Sequence, residues 1–203
     1  ARKRGELLGD FKVRKCLFFC SKYLRHVHGA FAGQPVILMK WQLKIIKKVL
    51  GTLNDDGTRQ YRRIILHVAR KNGKSFLSST MLLYFLAELS FEDGAMEIIS
   101  VALSKIQSQG TIFKTCRMLV EHSKELSQLI RIRRVPASLE NRLNGGICEP
   151  LSSDGKLQLG RNISLAVIDE CHGLPSSELY DSLSTSQGLR KEPLLISVST
   201  AGD

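Results

Sequence analysis

The segment from Arg63 to Ser75, RIILHVARKNGKS, restricts what this chain can fold into more than any other stretch. Ile64, Ile65, Leu66 and Val68, interrupted only by His67, read as a strand. A short polar turn then reaches Gly73, and Lys74-Ser75 heads a long apolar segment with helical spacing. A strand that turns on a glycine into a helix opening Lys-Ser is the layout of a phosphate-binding loop. A triphosphate needs converging backbone N–H groups, an ammonium on its terminal oxygens and a hydroxyl for Mg²⁺. Gly73, Lys74 and Ser75 fill those roles. The match is incomplete, because the usual spacing asks for a further glycine where this chain has Val68.

Three other stretches fit such a loop. Leu165 to Ile168 is an apolar run that ends in Asp169-Glu170. That arrangement puts one carboxylate near the metal and a second where it can polarise an attacking water. A buried strand with a polar end does not explain two adjacent acids, and the pair follows Lys74 by about 95 residues, a reasonable spacing for a P-loop NTPase. Trp41-Gln42 lies upstream; a glutamine amide offers a donor and an acceptor to an adenine edge, which would favour ATP over GTP. Taken alone, Gln42 reads as a helix-surface residue. Ser199-Thr200-Ala201-Gly202 closes a last apolar strand with small hydroxyl residues able to sense a γ-phosphate and relay its loss.

The remaining pattern predicts strands at Glu97 to Ala102, Ile163 to Ile168 and Leu194 to Ser199. Helices are expected at 11–28, Trp41 to Leu50, Lys74 to about Ser90, Ile106 to Ser123 and Leu179 to Thr185. Residues 130–151 are mixed, with IRIRRV alternating like a half-exposed strand and a turn at Asn144 to Gly146. Strands that alternate with helices and are apolar on both faces imply a parallel sheet covered on both sides. Residues 1–10 read as a mobile basic arm.

The net charge of +11 is unevenly placed: residues 1–50 hold 12 Lys/Arg against Glu6 and Asp10, and the rest hold 18 against 17. A basic N-terminal quarter suits a polyanion, nucleic acid first and acidic lipid second, unless it is simply a solvated helix face. No apolar run approaches the roughly 20 residues that span a bilayer, and no signal-peptide core follows the basic start. Five scattered cysteines suit a reducing compartment. Cys16 and Cys20 with His26 and His28 could be offered as a zinc site, but KCLFFCSKYLRHVHG reads better as an amphipathic helix with buried cysteines.

Together these residues resemble the ATPase domain of the large terminase subunit of tailed bacteriophages, the motor that packages DNA into procapsids. In that family the phosphate loop carries an arginine in place of the usual glycine pattern, as Arg70 does here, and the adenine motif is an aromatic-Gln pair like Trp41-Gln42. The Walker B strand ends Asp-Glu, as at Asp169-Glu170, and the coupling motif is a small tripeptide like Ser199-Thr200-Ala201. Ala102 to Phe113 with Gln107, and Leu151 to Gly155, are also similar; the likeness covers roughly residues 35–203.

The resemblance implies an α/β P-loop NTPase of the additional-strand, catalytic-glutamate (ASCE) type. Its sheet would be mostly parallel with helices on both faces, beside a small helical N-terminal region. Residues 1–58 would be that basic region or lid, bearing the adenine motif, and 59–203 the ATPase core, truncated before a nuclease domain. The expected cofactors are ATP and Mg²⁺. Trp41, Gln42, Arg70, Lys71, Asn72, Gly73, Lys74, Ser75, Phe76, Ser199 and Thr200 would line the nucleotide site. Ser75 and Asp169 would hold the metal, and Glu170, Arg70 and Lys74 would act in catalysis. Expected partners are double-stranded DNA, the portal, the small terminase subunit and further copies in a ring, in the host cytoplasm and not at a membrane. Arg142 and Arg161 are candidates for an arginine given to a neighbour's ATP, or for pairing with a surface acid. Nuclease activity is not implied. A helicase-like translocase, or a nucleic-acid-binding module with a vestigial loop, is the alternative.

Overall fold

The computed structural model describes residues 2–27, 29–88, 94–103, 112–152, 161–174 and 177–200. Their helices are α1 (Arg2–Tyr23), α2 (Lys40–Gly51), α3 (Lys74–Ala87), α4 (Ile112–Glu121), α5 (Lys124–Leu129) and α6 (Glu178–Thr185). The strands are β1 (Arg63–Val68), β2 (Glu97–Ala102), β3 (Ile130–Arg134), β4 (Ala137–Asn141), β5 (Ile147–Ser152), β6 (Leu165–Ile168) and β7 (Leu194–Thr200). They form one sheet in the order β1-β7-β6-β2-β5-β4-β3. The first five strands in that order run parallel, and β4 and β3 add an antiparallel hairpin.

Alternation along the central strands builds two cores. Ile98, Leu165, Val167, Leu194, Ile196 and Val198 face a large cluster with α1 to α5. Ile99, Val101, Ala166, Ile168 and Leu195 face the opposite side, where Leu183 of α6 joins them. The hub of the large cluster is α3, whose residues from Leu77 to Leu86 are all buried. Apart from Ser78, Ser79 and Thr80 these residues are apolar, and a helix buried on every face sits inside.

Three expectations are corrected. Residues 2–10 are not a loose arm but the first turns of α1, which packs on α2 and α3 and buries Val13, Cys16, Phe19 and Cys20. The loop-bearing strand β1 is not covered on both faces: it is a sheet edge on which Arg63, Ile65 and His67 are exposed. The mixed region 130–151 contains three strands rather than one. Helix α3 ends at Ala87, short of Ser90, which lies outside the described residues. His28 and residues 106–111 of the expected fourth helix also lie outside them.

Helix α1 meets α2 through glycine. A Cβ built on Gly9 would stand 2.2 Å from the Gly51 carbonyl oxygen, a backbone atom that cannot swing aside. Gly9→Ala should therefore force the helices apart and cost about 1–3 kcal/mol, as overpacking does. Nothing stands within 4 Å of a Cβ on Gly5 in the same helix. Gly5→Ala should be neutral or stabilising, so thermal unfolding of the two variants separates packing from propensity.

Candidate nucleotide site

The parallel strands carry the candidate site residues to one end. The phosphate loop follows the carboxyl end of β1, Asp169-Glu170 follow β6, and Ser199-Thr200 close β7 between them. Ligands in open parallel α/β sheets bind at this end. The loop reaches α3 through Lys71 at φ 64° and Gly73 at φ 81°. At Gly73 a side chain would be strained, and a Cβ would also press to 3.3 Å from Gln42 Nε2. From there the backbone enters a 14-residue helix, whose N-terminal N–H groups favour an anion.

Three segments distant in sequence converge on one ion pair. Lys74 Nζ donates to Glu170 Oε1 and to Thr200 Oγ1. Thr200 in turn donates to the same carboxylate, from its hydroxyl at 2.7 Å and from its backbone N–H at 3.0 Å. Burial alone would raise the Glu170 pKa, but the hydrogen bonds from Lys74 and Thr200, with the lysine charge, bring it down to about 2. A carboxylate held that acidic is a poor proton acceptor. It becomes a better one when Lys74 moves away.

Asp169 is buried at the end of β6, its N–H bonded to Val101 O at 2.9 Å. Ser75 is half-buried in the first turn of α3. A hydroxyl and a carboxylate are hard oxygen donors, the set that Mg²⁺ takes together with phosphate oxygens and water. No cluster of three or more His, Cys, Asp or Glu suited to an all-protein metal cage occurs among the described residues. That donor set fits a metal that arrives with phosphates.

Gln42 is not the surface residue its isolated reading suggests; it is buried beside the loop. Its Oε1 accepts from Met39 N at 2.9 Å and its Nε2 donates to Gly73 O at 3.4 Å, so the amide ties the start of α2 to the phosphate loop. Trp41 is half-buried on α2 and donates from Nε1 to Met39 Sδ at 3.3 Å. Phe76 is half-buried and stacks on His26 with centroids 6.2 Å apart. Arg70 and Asn72 are exposed on the loop. Arg161 is tied to Glu97 at 3.2 Å and Glu149 at 2.7 Å, while Arg142 is exposed at the β4–β5 turn. Ala201, Gly202, Gln107 and 153–155 lie outside the described residues.

Sequence reasoning overlooked His172. It stands two residues beyond Glu170, and its Nδ1 lies 2.9 Å from Ser199 Oγ and 3.5 Å from Glu170 Oε2. The signal was a polar ring directly after the Asp-Glu pair.

The family profile described as "Terminase large subunit, ATPase domain" matches residues 40–203. The chain is 31% identical to the large terminase subunit of Enterobacteria phage HK97 over 97% of its own length, and spans 36% of that protein. The crystal structure of the HK97 large terminase superimposes with a TM-score of 0.77 at 28% identity, covering 93% of this chain and 37% of that one. The large terminase ATPase domain of Thermus phage P74-26 shares the fold at a TM-score of 0.53 and 17% identity, over 70% of this chain and 61% of that one. The large terminase of the thermophilic bacteriophage D6E in complex with ADP shares it at 0.57 and 12%, over 80% and 39%.

Proposed function

The chain belongs to the family of terminase large-subunit ATPase domains, and we propose that it hydrolyses ATP with Mg²⁺ to drive double-stranded viral DNA into procapsids. The observation that carries this reading is the convergence of Lys74, Glu170 and Thr200, from three separate segments, beside a glycine-turned helix start.

Lys74 exchanges Glu170 for the β- and γ-phosphate oxygens, and the exposed Arg70 adds a second positive charge on the loop. Ser75 and Asp169 hold Mg²⁺, which neutralises charge on the phosphates when bound. Glu170, released from the lysine, orients the water and takes its proton. The water oxygen bonds to the γ-phosphorus, the bond from that phosphorus to the β–γ bridging oxygen breaks, and ADP and phosphate leave. Ser199 and Thr200, on the strand beside the loop, pass phosphate loss into β7. Trp41 and Gln42 meet the adenine, which requires the Gln42 amide to give up a backbone partner. Lys71, Asn72, Gly73 and Phe76 shape the loop.

Residues 1–58 act as the basic region bearing the adenine motif, and 59–203 as the catalytic core. The partners are DNA, the portal, the small subunit and further copies in a ring, at the procapsid in the host cytoplasm. No helix among the described residues is long and apolar enough to cross a membrane. Calorimetry should show ATP binding to the full-length protein with Mg²⁺, and weaker binding of GTP. Absence of heat with ATP·Mg²⁺ would leave the loop vestigial and overturn the reading.

A further inference from the structure

We propose that His172 is a positioning residue that ties the catalytic carboxylate to the coupling strand, so that Glu170 and β7 move together. This rests on the nucleotide-site reading above. Glu170 sits in the left-handed region at φ 52° and opens a single 3₁₀ turn, Cys171–Gly173. The turn is fastened at Gly173. Gly173 N donates back to Glu170 O at 2.9 Å. Gly173 is also pressed so closely on Leu103, just past β2, that a Cβ there would come within 2.6 Å of Leu103 Cδ1. The imidazole is thereby held over β7 although most of its surface faces solvent.

Ser199 is buried, and its one hydroxyl proton goes to Thr200 O at 3.2 Å. With that proton on Thr200 O, the Ser199 oxygen accepts from His172 in the tautomer that carries hydrogen on Nδ1. That same N–H lies 3.5 Å from Glu170 Oε2. Thr200, the next residue of β7, also holds the carboxylate, with its N–H on that same Oε2. The carboxylate is thus hydrogen-bonded to β7 through Thr200, and its Oε2 lies within 3.5 Å of the imidazole that meets Ser199. Lys74 meets Oε1 and the Thr200 hydroxyl, so the hydroxyl part of the Thr200 link is disturbed whenever Lys74 shifts, while the Thr200 N–H and His172 both stand on Oε2. The link through His172 does not involve the lysine, so it persists through the exchange and keeps Glu170 in register with the strand.

The test compares His172→Ala, His172→Asn and His172→Gln in the full-length protein with ATP, Mg²⁺ and DNA. An Asn amide places a donor near the position of Nδ1, whereas a Gln amide reaches toward Nε2. His172→Ala should lower kcat on the order of tenfold, the scale of one lost hydrogen bond to a charged or buried group, with KM for ATP within about twofold. Asn should restore most of kcat and Gln little. Ser199→Ala combined with His172→Ala should be no worse than the more damaging single change, because both remove one link. An unchanged kcat in His172→Ala, additive effects with Ser199→Ala, or Asn no better than Ala would overturn the tie while leaving ATP hydrolysis intact. A wild-type protein that neither binds nor hydrolyses ATP would overturn the nucleotide reading, and this tie with it.

Discussion

Glu170→Gln should cut ATP turnover by ~10²–10⁴-fold, the usual contribution of a positioned general base, while ATP binding holds or tightens. The amide is nearly the same size as the carboxylate and still reaches Thr200, but it cannot take a proton from water. The resting ion pair predicts the second half. In the wild-type chain Lys74 is already satisfied by Glu170 and Thr200, so phosphates must compete with a carboxylate for the ammonium. Removing the charge removes the competitor. Single-turnover hydrolysis reports the chemical step, and calorimetry with ATP·Mg²⁺ reports binding. Normal turnover in the Gln variant would end the assignment of Glu170 as base. Loss of binding with turnover would show instead that Glu170 holds the loop in shape.

Much of the sheet was legible because its central strands are buried on both faces, which leaves continuous apolar runs. Expectation and structure coincide at Glu97–Ala102, and they differ by one residue at the end of β7. Legibility fell where burial became one-sided. In β5 Pro150 argues against a strand, yet the chain pairs there with Ser100 of β2. In β4 the pattern ASLEN carries few apolar residues, and its buried Ser138 and Asn141 are held by the hairpin and by a bond from Asn141 Nδ2 to Leu86 O. Early glycines and basic residues made the start of α1 look unstructured, whereas Gly9 is what lets α1 approach α2.

The candidate site divides along the same line. The candidate roles of Lys74, Asp169, Glu170 and Thr200 could be proposed from motif and spacing, since each such role requires a residue type. What these groups do to one another could not. Local pattern carries no information about a contact between residues 74 and 170, nor about Gln42 spending its amide on Met39 and Gly73.

Lys74→Ala should abolish measurable turnover and weaken ATP binding by roughly 10–10³-fold, the range for removing one partner of a buried charge pair. Two losses add. The phosphates lose the ammonium that neutralises them, and Glu170 loses the cation that now balances it at the mouth of the site. With Lys74 gone, a carboxylate held near pKa 2 returns toward its ordinary range, and its remaining negative charge faces the incoming triphosphate without a counter-charge. Binding should therefore suffer more in Lys74→Ala than in the double variant Lys74→Ala/Glu170→Gln, from which that repulsion is absent. Lys74→Arg should not restore turnover, because a planar guanidinium cannot replace a compact ammonium between Thr200 and the phosphates. Calorimetric affinities for the single and double variants decide the matter. Equal affinities in the two would show that Lys74 and Glu170 do not share the electrostatics of one site, and the resting pair would then have no bearing on nucleotide entry.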